Sequence, residues 1–407
     1  DFSISYTDFS KDYLLNIFSE EEILCIQFAT WTPSEKLFSE QIQFIFTEFK
    51  EAFKHAQTIL VTRQYFEKKW LLNSCNNIKF LKNYSQLGKI NKSIVVAASG
   101  PSLQIALSSI KKYRDKIFLL CLSSALQALL QEEIIPDLVL STDGGYWAGQ
   151  HLKGLQKSNI KLALPIEGYF QKSFFENTVL IPLKYSDGLT KDFFDICNIK
   201  ADVIERNGTV SGSALYFALN HTDKNIYFCG LDLASNKGHQ HLQPNQLEIN
   251  NYSKDNFLLN TETRNVKSYL NSDSLKIYRD WFSNLKNVEK TFRIISPNKQ
   301  SSLGQIKDID ENTFSQMLLQ EEATANLSFN KFHITETQRI ENIQNLLNFI
   351  EKNIYSQNWK KQLFPLDFVS LIHSSNNVDK TIIEERITQN TEDLISKIRN
   401  IFNDKTL

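Results

Sequence analysis

One segment near the middle of the chain has residue types suited to binding a phosphate. The apolar run Ile94–Ala97 leads into Gly100, Pro101 and Ser102. Glycine permits a tight turn close to a ligand, proline sets the angle at which a helix is entered, and serine can cap that helix. The backbone N–H groups at a free helix start bind phosphate or another anion. An ordinary junction between a strand and a capped helix uses the same residue types, so both interpretations stay open for this segment.

A second segment of this kind follows further along the chain. Thr209-Val210-Ser211-Gly212-Ser213 precedes a predicted helix that runs to about Asn220. Small hydroxyl residues and a glycine at a helix N-terminus form a site for an anion or for the edge of a nucleotide. The candidate ligand-binding residues here are Thr209, Ser211, Gly212 and Ser213.

Three further polar residues come after apolar runs, namely Ser124, Asp143 and Asp232. In a doubly wound parallel sheet the carboxyl ends of the strands meet at one edge, and ligands bind there. Asp143 precedes two glycines, where it can accept a hydrogen bond from a ribose hydroxyl or lie near a metal ion. An aspartate that only forms a turn is the alternative for Asp143.

Two histidines share one polar loop, Lys237-Gly238-His239-Gln240-His241. An imidazole titrates near neutral pH, which suits it to removing a proton from a hydroxyl group. The His-x-His spacing also ligates metals, but no cysteine, further histidine pair or carboxylate cluster lies nearby in the sequence. We therefore predict no zinc site, and two solvated loop histidines remain the alternative to a catalytic base.

The hydrophobic pattern predicts the elements that must hold these residues. Between residues 92 and 304, short and nearly continuous apolar runs alternate with helical stretches. Such runs are typical of strands buried on both faces, so we predict an α/β domain with a Rossmann-like, doubly wound, mainly parallel sheet. The candidate strands are Ile94–Ala97, Ile117–Leu122, Leu138–Leu140, Lys161–Leu164, Thr178–Ile181 and Ile226–Cys229.

Two flanking regions complete the predicted organisation. Residues 1–91 are expected to form a smaller N-terminal α/β region, with a helix over Glu40–Ala56 and a strand over Thr58–Thr62. Residues 305–407 are expected to contain no strands and to form a helical C-terminal region, because Thr335–Asn353 and Ile382–Asn403 have amphipathic helical spacing.

Composition excludes several classes of protein. The 45 Lys and Arg nearly balance the 46 Asp and Glu, so we expect no nucleic-acid partner. Five scattered cysteines without a C-x-x-C pair indicate a reduced, cytoplasmic protein without a disulfide framework. The apolar run Ile117–Leu130 is too short and too polar to span a bilayer. We expect no signal peptide and, because the first residue is Asp1 rather than Met, a sequence trimmed at its start.

The polar segments, taken in this order, resemble the motility-associated factor (Maf) family. The matching residues are Gly100-Pro101-Ser102-Leu103, then Ser124 ahead of Ile135-Pro136-Asp137, and Asp143. Members of this family are flagellin glycosyltransferases, and their central domain is similar to hydroxymethylpterin diphosphokinase. The stretch from Thr209 to Asp232 also resembles a block of bacterial sialyltransferases. The resemblance covers residues from about Lys92 to His241.

The resemblance implies a protein O-glycosyltransferase whose residues 92–304 form the nucleotide-sugar-binding catalytic domain. It would transfer a nonulosonic, sialic-acid-like sugar such as pseudaminic acid from a CMP-linked donor to Ser or Thr of flagellin. The donor phosphate would lie on the helix starts at Gly100–Ser102 and Ser211–Ser213, whose N–H groups stabilise the charge on the departing nucleotide. His239 or His241 would be the base, and Asp143 is a further catalytic candidate.

No cofactor is required in this scheme, and Mg²⁺ at Asp143 or Asp232 is optional. One alternative is a diphosphokinase that moves pyrophosphate from a nucleoside triphosphate to a pterin-like alcohol. That reaction would need Mg²⁺ and a carboxylate pair, for which Asp143 and Asp232 are the candidates. The other alternative is a non-catalytic flagellin-binding module that keeps the nucleotide cleft.

Overall fold

The computed structural model of the chain describes residues 4–155, 160–233, 241–258, 260, 273–295, 302–322, 328–374 and 376–404. The chain divides into two compact units, one of which joins Asp1–Cys75 with Gln344–Leu407 while the other spans Asn76–Ile343. This division differs from the predicted boundaries at residues 91 and 304. The difference arises because the two ends of the chain pack into one unit, where the Lys361 ammonium donates to the Ser19 hydroxyl at 2.9 Å.

The second unit is built on one large sheet, in which the described residues form eleven strands. The strands are β1 Asn83–Leu87, β2 Ser93–Ala97, β3 Ile117–Leu122, β4 Leu138–Leu140, β5 Lys161–Pro165, β6 Leu180–Tyr185, β7 Asp202–Ile204, β8 Ile226–Cys229, β9 Thr291–Ile294, β10 Lys307–Ile309 and β11 Phe329–His333. Their order is β10-β9-β8-β2-β3-β4-β5-β6-β1-β11, with β7 beside β6. Only the pairing of β1 with β11 is antiparallel among these pairs. The predicted α/β fold with a doubly wound, mainly parallel sheet is confirmed.

Helices connect the strands and also form the first unit. Their bounds are α1 Lys11–Ile17, α2 Glu20–Ile23, α3 Thr32–Leu37, α4 Ser39–Phe80, α5 Leu103–Lys112, α6 Leu126–Gln131, α7 Tyr146–His151, α8 Lys172–Asn177, α9 Phe193–Ile196, α10 Val210–His221, α11 Gln246–Tyr252, α12 Asp273–Ser283, α13 Glu311–Gln320, α14 Glu336–Asn353, α15 Gln357–Leu363, α16 Pro365–His373 and α17 Asn377–Asn403. No helix among the described residues is both long enough and apolar enough to span a membrane.

The strand order reverses beside β2, and this reversal locates the crevice of the sheet. From β2 the chain proceeds through β3, β4, β5 and β6 on one side, whereas β8, β9 and β10 lie on the other side. In a doubly wound sheet the loops at such a point lead to opposite faces and leave a crevice at the carboxyl ends of the strands. The loops after β2 and β8 are therefore the expected floor of a ligand site.

Helix α10 is anchored on the sheet by an apolar face. Its Ala214, Phe217 and Ala218 belong to the same buried cluster as Val96 of β2 and Phe118 of β3. The start of α10 consequently has a fixed position relative to the strands that lead into the candidate loops.

The predicted strand at Thr58–Thr62 is wrong, because these residues lie inside the 42-residue helix α4. Ala52, Ala56 and Leu60 are buried at a spacing of four residues, so one face of a continuous helix packs here. The hydroxyl groups of Thr58 and Thr62 donate to carbonyl oxygens four residues earlier at 2.9 Å, which accommodates these β-branched residues in the helix.

The prediction that strands end near residue 305 is also wrong, since β10 and β11 follow. Both strands lie at the two edges of the sheet. Edge strands are often short and polar, as β11 is with the sequence FNKFH, and they lack the apolar run that identifies an inner strand. The helices predicted over Thr335–Asn353 and Ile382–Asn403 correspond to α14 and to the greater part of α17.

Candidate functional site

The loops after β2 and β8 lie in direct contact. The Gly100 N–H donates to the Gly230 carbonyl oxygen at 2.9 Å, and the Ser102 N–H donates to Asp232 Oδ2 at 2.8 Å. Gly230 has a φ of +87°, and a Cβ at this position would lie far inside 3.0 Å of the Ala98 carbonyl oxygen. Glycine is required at position 230 because both the backbone angle and the close approach exclude a side chain.

The helix start of α5 is occupied by the protein itself. The N–H groups of Gly100 and Ser102, predicted to be free for a phosphate, bind Gly230 and the carboxylate of Asp232 instead. Ser102 also does not cap the helix through its side chain. The buried carboxylate of Asp232 takes that place, where its negative charge interacts favourably with the helix dipole. The Ser102 hydroxyl is buried and forms no hydrogen bond with the described part of the chain.

Ser124 connects the end of β3 with the end of β2. Its hydroxyl donates to the Ser99 hydroxyl at 2.9 Å, and its carbonyl oxygen accepts from Asn245 Nδ2 at 2.9 Å. The Leu242 N–H donates to the Ser99 carbonyl oxygen at 2.7 Å. These bonds fix the segment from Leu242 to Asn245 at the carboxyl edge of the sheet, next to the loops of β2 and β3.

His241 directly precedes that segment and is paired with a buried carboxylate. Its main-chain nitrogen and its ring Nδ1 each lie 3.2 Å from Glu248 Oε1. The side chain of Glu248 is 4% exposed, whereas that of His241 is 22% exposed. The second predicted histidine, His239, lies outside the described residues.

Asp143 and His151 interact with the His241 site. Asp143 is exposed, and its Oδ1 accepts the Gly145 N–H at 2.8 Å, as expected for a turn aspartate. The pKa of His151 is lowered to about 4, mainly by burial and also by the positive charge of His241, while the carboxylate of Asp143 acts in the opposite direction. His151 is a site residue that sequence reasoning missed, because a single histidine at the end of a helix carries no motif.

The pKa of His151 leads to a testable pH dependence of stability. Between pH 6.5 and about 4 the unfolded chain binds a proton at this residue that the folded chain does not bind. The free energy of unfolding should therefore fall as the pH falls through this window. We expect His151→Gln to lose less stability than the wild type between pH 7 and pH 4.5 in urea titrations. The matched variant His373→Gln, at an exposed histidine, should follow the wild-type curve. Equal curves for His151→Gln and the wild type would contradict the lowered pKa of His151.

The start of α10 has the features predicted for it. Thr209 is the N-cap, and its hydroxyl oxygen accepts the Gly212 N–H at 2.9 Å. Asn207 Oδ1 accepts the Thr209 N–H at 3.1 Å. The N–H groups of Val210 and Ser211 form no hydrogen bond with the described residues, as is usual for the first positions of a helix. Val210 and Ser211 are only partly buried, whereas Ser102 at the start of α5 is buried.

Ser213 forms its hydrogen bond inside the protein and is not exposed at the helix start. It is buried, and its hydroxyl donates to the Glu205 carbonyl oxygen at 3.3 Å. Burial raises the pKa of Tyr185 to about 12, while hydrogen bonds of its hydroxyl with Thr142 and Ser213 act in the opposite direction. Tyr185 thus connects the start of α10 with the loop that carries Asp143.

A charged cluster beside α10 was not predicted from the sequence. Arg206 Nη2 lies 3.0 Å from both carboxylate oxygens of the buried Glu167, and Arg206 Nε lies 3.2 Å from Asp187 Oδ1. The Arg206 guanidinium also lies 4.1 Å from the centre of the Tyr185 ring. Burial alone would lower the pKa of Arg206, but the two carboxylates outweigh it and raise the pKa. The cluster stabilises the loop that leads into α10.

The predicted residues thus form three neighbouring groups at one edge of the sheet. The first contains Gly100, Ser102 and Asp232, the second contains Ser124, His241 and Asp143, and the third contains Thr209, Ser211, Gly212 and Ser213. Asp143 and Asp232 accept main-chain N–H groups in different loops. Within the described ranges, no group of three or more His, Cys, Asp or Glu side chains is arranged to hold a metal ion.

Comparison with known proteins shows what parts of the chain are similar to. Residues 68–238 match the family model described as 6-hydroxymethylpterin diphosphokinase MptE-like. An uncharacterized protein of Treponema pallidum (strain Nichols) is 27% identical over 399 residues, which cover 95% of this chain and 86% of that protein. A second uncharacterized protein of the same organism is 26% identical over 156 residues, covering 37% of this chain and 27% of that protein.

One solved structure is also similar, that of the MAf glycosyltransferase from Magnetospirillum magneticum AMB-1. It has 11% sequence identity and a TM-score of 0.46, and the match covers 88% of this chain. This chain spans 61% of that protein's length, which is less than two thirds. The similarity to bacterial sialyltransferases stays a prediction. The central region of the chain, residues 68–238, is similar to the MptE-like family, as its motifs had indicated.

Proposed function

We propose that the chain is a protein O-glycosyltransferase that transfers a nonulosonic sugar from a CMP-linked donor to Ser or Thr of flagellin. The observation that carries this proposal is the position of two features at one edge of the sheet. An accessible helix start at Val210 and Ser211 is suited to the donor phosphate, and a carboxylate-bound imidazole at His241 is suited to the acceptor proton. Group transfer from a nucleotide uses a group that stabilises the leaving phosphate and a base for the acceptor hydroxyl, and these two features can supply them.

Donor binding is assigned to the start of α10 rather than to that of α5. The Asp232 carboxylate at α5 would repel a phosphate, whereas the N–H groups of Val210 and Ser211 point a partial positive charge toward an anion. The hydroxyl of Ser211 is available to the same anion, and the N-cap bond of Thr209 holds the first turn in place. Gly100 and Asp232 then act by shaping the crevice floor.

The chemical step requires a base for the acceptor hydroxyl. As the acceptor oxygen forms a bond to the anomeric carbon, the bond from that carbon to the phosphate oxygen breaks and CMP leaves with the electron pair. The hydroxyl proton moves to a base, for which His241 and His239 are the candidates. The N–H groups of α10 stabilise the charge that grows on the departing phosphate. Asp143, exposed at the same edge, is proposed as a contact to the ribose or the sugar.

The diphosphokinase alternative is favoured by one observation, the description of the family that residues 68–238 match. It would use Asp143 and Asp232 as a carboxylate pair for Mg²⁺. Asp143 accepts the Gly145 N–H of its own loop and Asp232 accepts the Ser102 N–H of the β2 loop, and we derive no step through a metal ion. The third reading, a module that binds flagellin and a nucleotide without catalysis, predicts nucleotide binding but no transfer.

A melting experiment with a matched pair of variants tests the donor site. At a hundredfold excess over the dissociation constant, a ligand stabilises the folded chain by about 2.7 kcal/mol. We expect CMP to raise the melting temperature of the wild type without added Mg²⁺. Val210→Pro should lose most of this shift, because proline removes the N–H of the first helical residue but fits this position. The extended backbone of Thr209, with φ −132° and ψ 144°, also accepts a following proline.

Val210→Ala is the control, since it removes the same side-chain packing and keeps the N–H group. It should bind CMP as the wild type does. A shift that occurs only with a nucleoside triphosphate and Mg²⁺ would reject the glycosyltransferase in favour of the diphosphokinase. Equal shifts for Val210→Pro and Val210→Ala would reject α10 as the phosphate site.

A further inference from the structure

The contact between His241 and Glu248 determines which ring nitrogen can act as a base. Glu248 Oε1 lies 3.2 Å from the main-chain nitrogen and 3.2 Å from the ring Nδ1 of His241. An ionised carboxylate can only accept hydrogen bonds, so the neutral imidazole carries its proton on Nδ1. Its Nε2 then keeps the lone pair that can take a proton from a hydroxyl group.

Glu248 itself is held in place from two directions. Asn245 Oδ1 accepts the N–H groups of Leu247 and Glu248 at 3.0 and 3.4 Å, which caps the start of α11. Asn245 Nδ2 donates to the Ser124 carbonyl oxygen at 2.9 Å, and the residue is 1% exposed. The carboxylate therefore has a fixed position relative to the carboxyl end of β3, where the crevice lies.

We infer that Glu248 is a positioning residue, which selects the Nδ1–H tautomer of His241 and fixes the imidazole as the general base of the transfer. This inference rests on the proposed glycosyltransferase function. The proton of the acceptor hydroxyl moves to Nε2 while the acceptor oxygen bonds to the anomeric carbon and CMP leaves. The imidazolium that forms is stabilised by the Glu248 carboxylate, and it returns its proton to water.

The electrostatic surroundings of His241 agree with this role. Among the described residues, the ionisable groups that act at this site include Glu248 on α11, His151 on α7 and Asp143 in the loop after β4. Because His151 is neutral at physiological pH, it places no positive charge beside the imidazolium. The buried Glu248 carboxylate lies in direct contact with the imidazole ring of His241.

Imidazole nitrogen NMR tests the positioning role without any substrate. The signals of His241 are assigned by their loss in His241→Gln. We expect the wild type to show a neutral imidazole with its proton on Nδ1. Glu248→Gln should show a mixture of tautomers, since an amide can either accept from or donate to Nδ1. A wild-type proton on Nε2, or spectra of Glu248→Gln identical to those of the wild type, would overturn the inference.

Transfer kinetics with a CMP-linked nonulosonic acid and flagellin provide the second readout. Glu248→Gln should lower kcat about 100-fold with little change in the donor KM, because only the orientation of the base is lost. Glu248→Asp should recover part of kcat, and Ile249→Ala, on the exposed side of the same helix, should retain it. Wild-type kcat in Glu248→Gln would reject the inference.

The two proposals fail in different ways. If the wild type binds no CMP and releases none from the donor, the proposed function fails. The tautomer of His241 then still shows whether Glu248 positions the imidazole. If transfer occurs and the tautomer does not depend on Glu248, the proposed function stands and the positioning role fails. If Glu248→Gln does not fold, Glu248→Asp and the wild-type spectrum still test the inference.

Discussion

Replacing Gly230 by Ala is expected to destabilise the chain by about 3 to 5 kcal/mol and to weaken nucleotide binding, because the crevice floor is distorted. Gly230 has a φ of +87°, a backbone conformation that costs an L-residue roughly 1–2 kcal/mol. The added Cβ would also collide with the Ala98 carbonyl oxygen, which is backbone and cannot rotate away. The two loops could separate only by breaking the bond from Gly100 N–H to the Gly230 carbonyl oxygen. Urea unfolding and CMP titration measure both effects.

Gly154→Ala is the matched control for Gly230→Ala. Gly154 has a similar φ of +95°, but the nearest atom to an added Cβ is Leu130 Cδ1 at 3.3 Å, the end of a flexible side chain. This variant should lose about 1 to 2 kcal/mol, the cost of the backbone angle alone. Equal losses for the two variants would mean that the contact between the β2 and β8 loops contributes nothing to the free energy of unfolding.

Replacing His241 by Ala is expected to lower kcat for sugar transfer by about 10²- to 10⁴-fold, the usual contribution of a general base. The donor KM and the stabilisation by CMP should stay near their wild-type values, because the phosphate is assigned to the start of α10 and not to His241. Steady-state kinetics and melting scans separate the two effects.

The control for His241→Ala is His333→Ala. His333 is an exposed histidine of the edge strand β11, where its Nδ1 lies 2.8 Å from Asn83 Oδ1. This variant should keep wild-type kcat. If His241→Ala retains more than about a third of wild-type kcat, His241 is not the base, and His239 becomes the residue to replace.

The inner strands could be predicted because their buried residues are consecutive in the sequence. Every residue of β2 and β3 is buried, so both faces of each strand had to be apolar. The N-cap of α10 was likewise predictable, because Thr209 and Gly212 are near neighbours in sequence. In both cases the physical cause lies within a few residues.

The unpredicted parts of the site depend on contacts between distant residues. The bond from Ser102 to Asp232 joins positions that are 130 residues apart, and it turns a predicted phosphate site into an internal cap. The contact of Arg206 with Glu167 spans 39 residues. The proximity of His151 to Asp143 and His241 depends on where α7 packs. Local spacing carries no signal for such contacts, since each partner alone resembles an ordinary turn or surface residue.

The central claim is that the chain cleaves a CMP-linked sugar at the carboxyl edge of its sheet. Phosphorus NMR of the wild-type chain with CMP-pseudaminic acid or CMP-N-acetylneuraminic acid, flagellin and no added metal tests it most directly. We predict that the signal of the sugar-linked phosphate is replaced by that of free CMP as flagellin gains the mass of the sugar. An unchanged donor signal, with pyrophosphate transfer from ATP and Mg²⁺ to a pterin alcohol in a parallel sample, would contradict the claim.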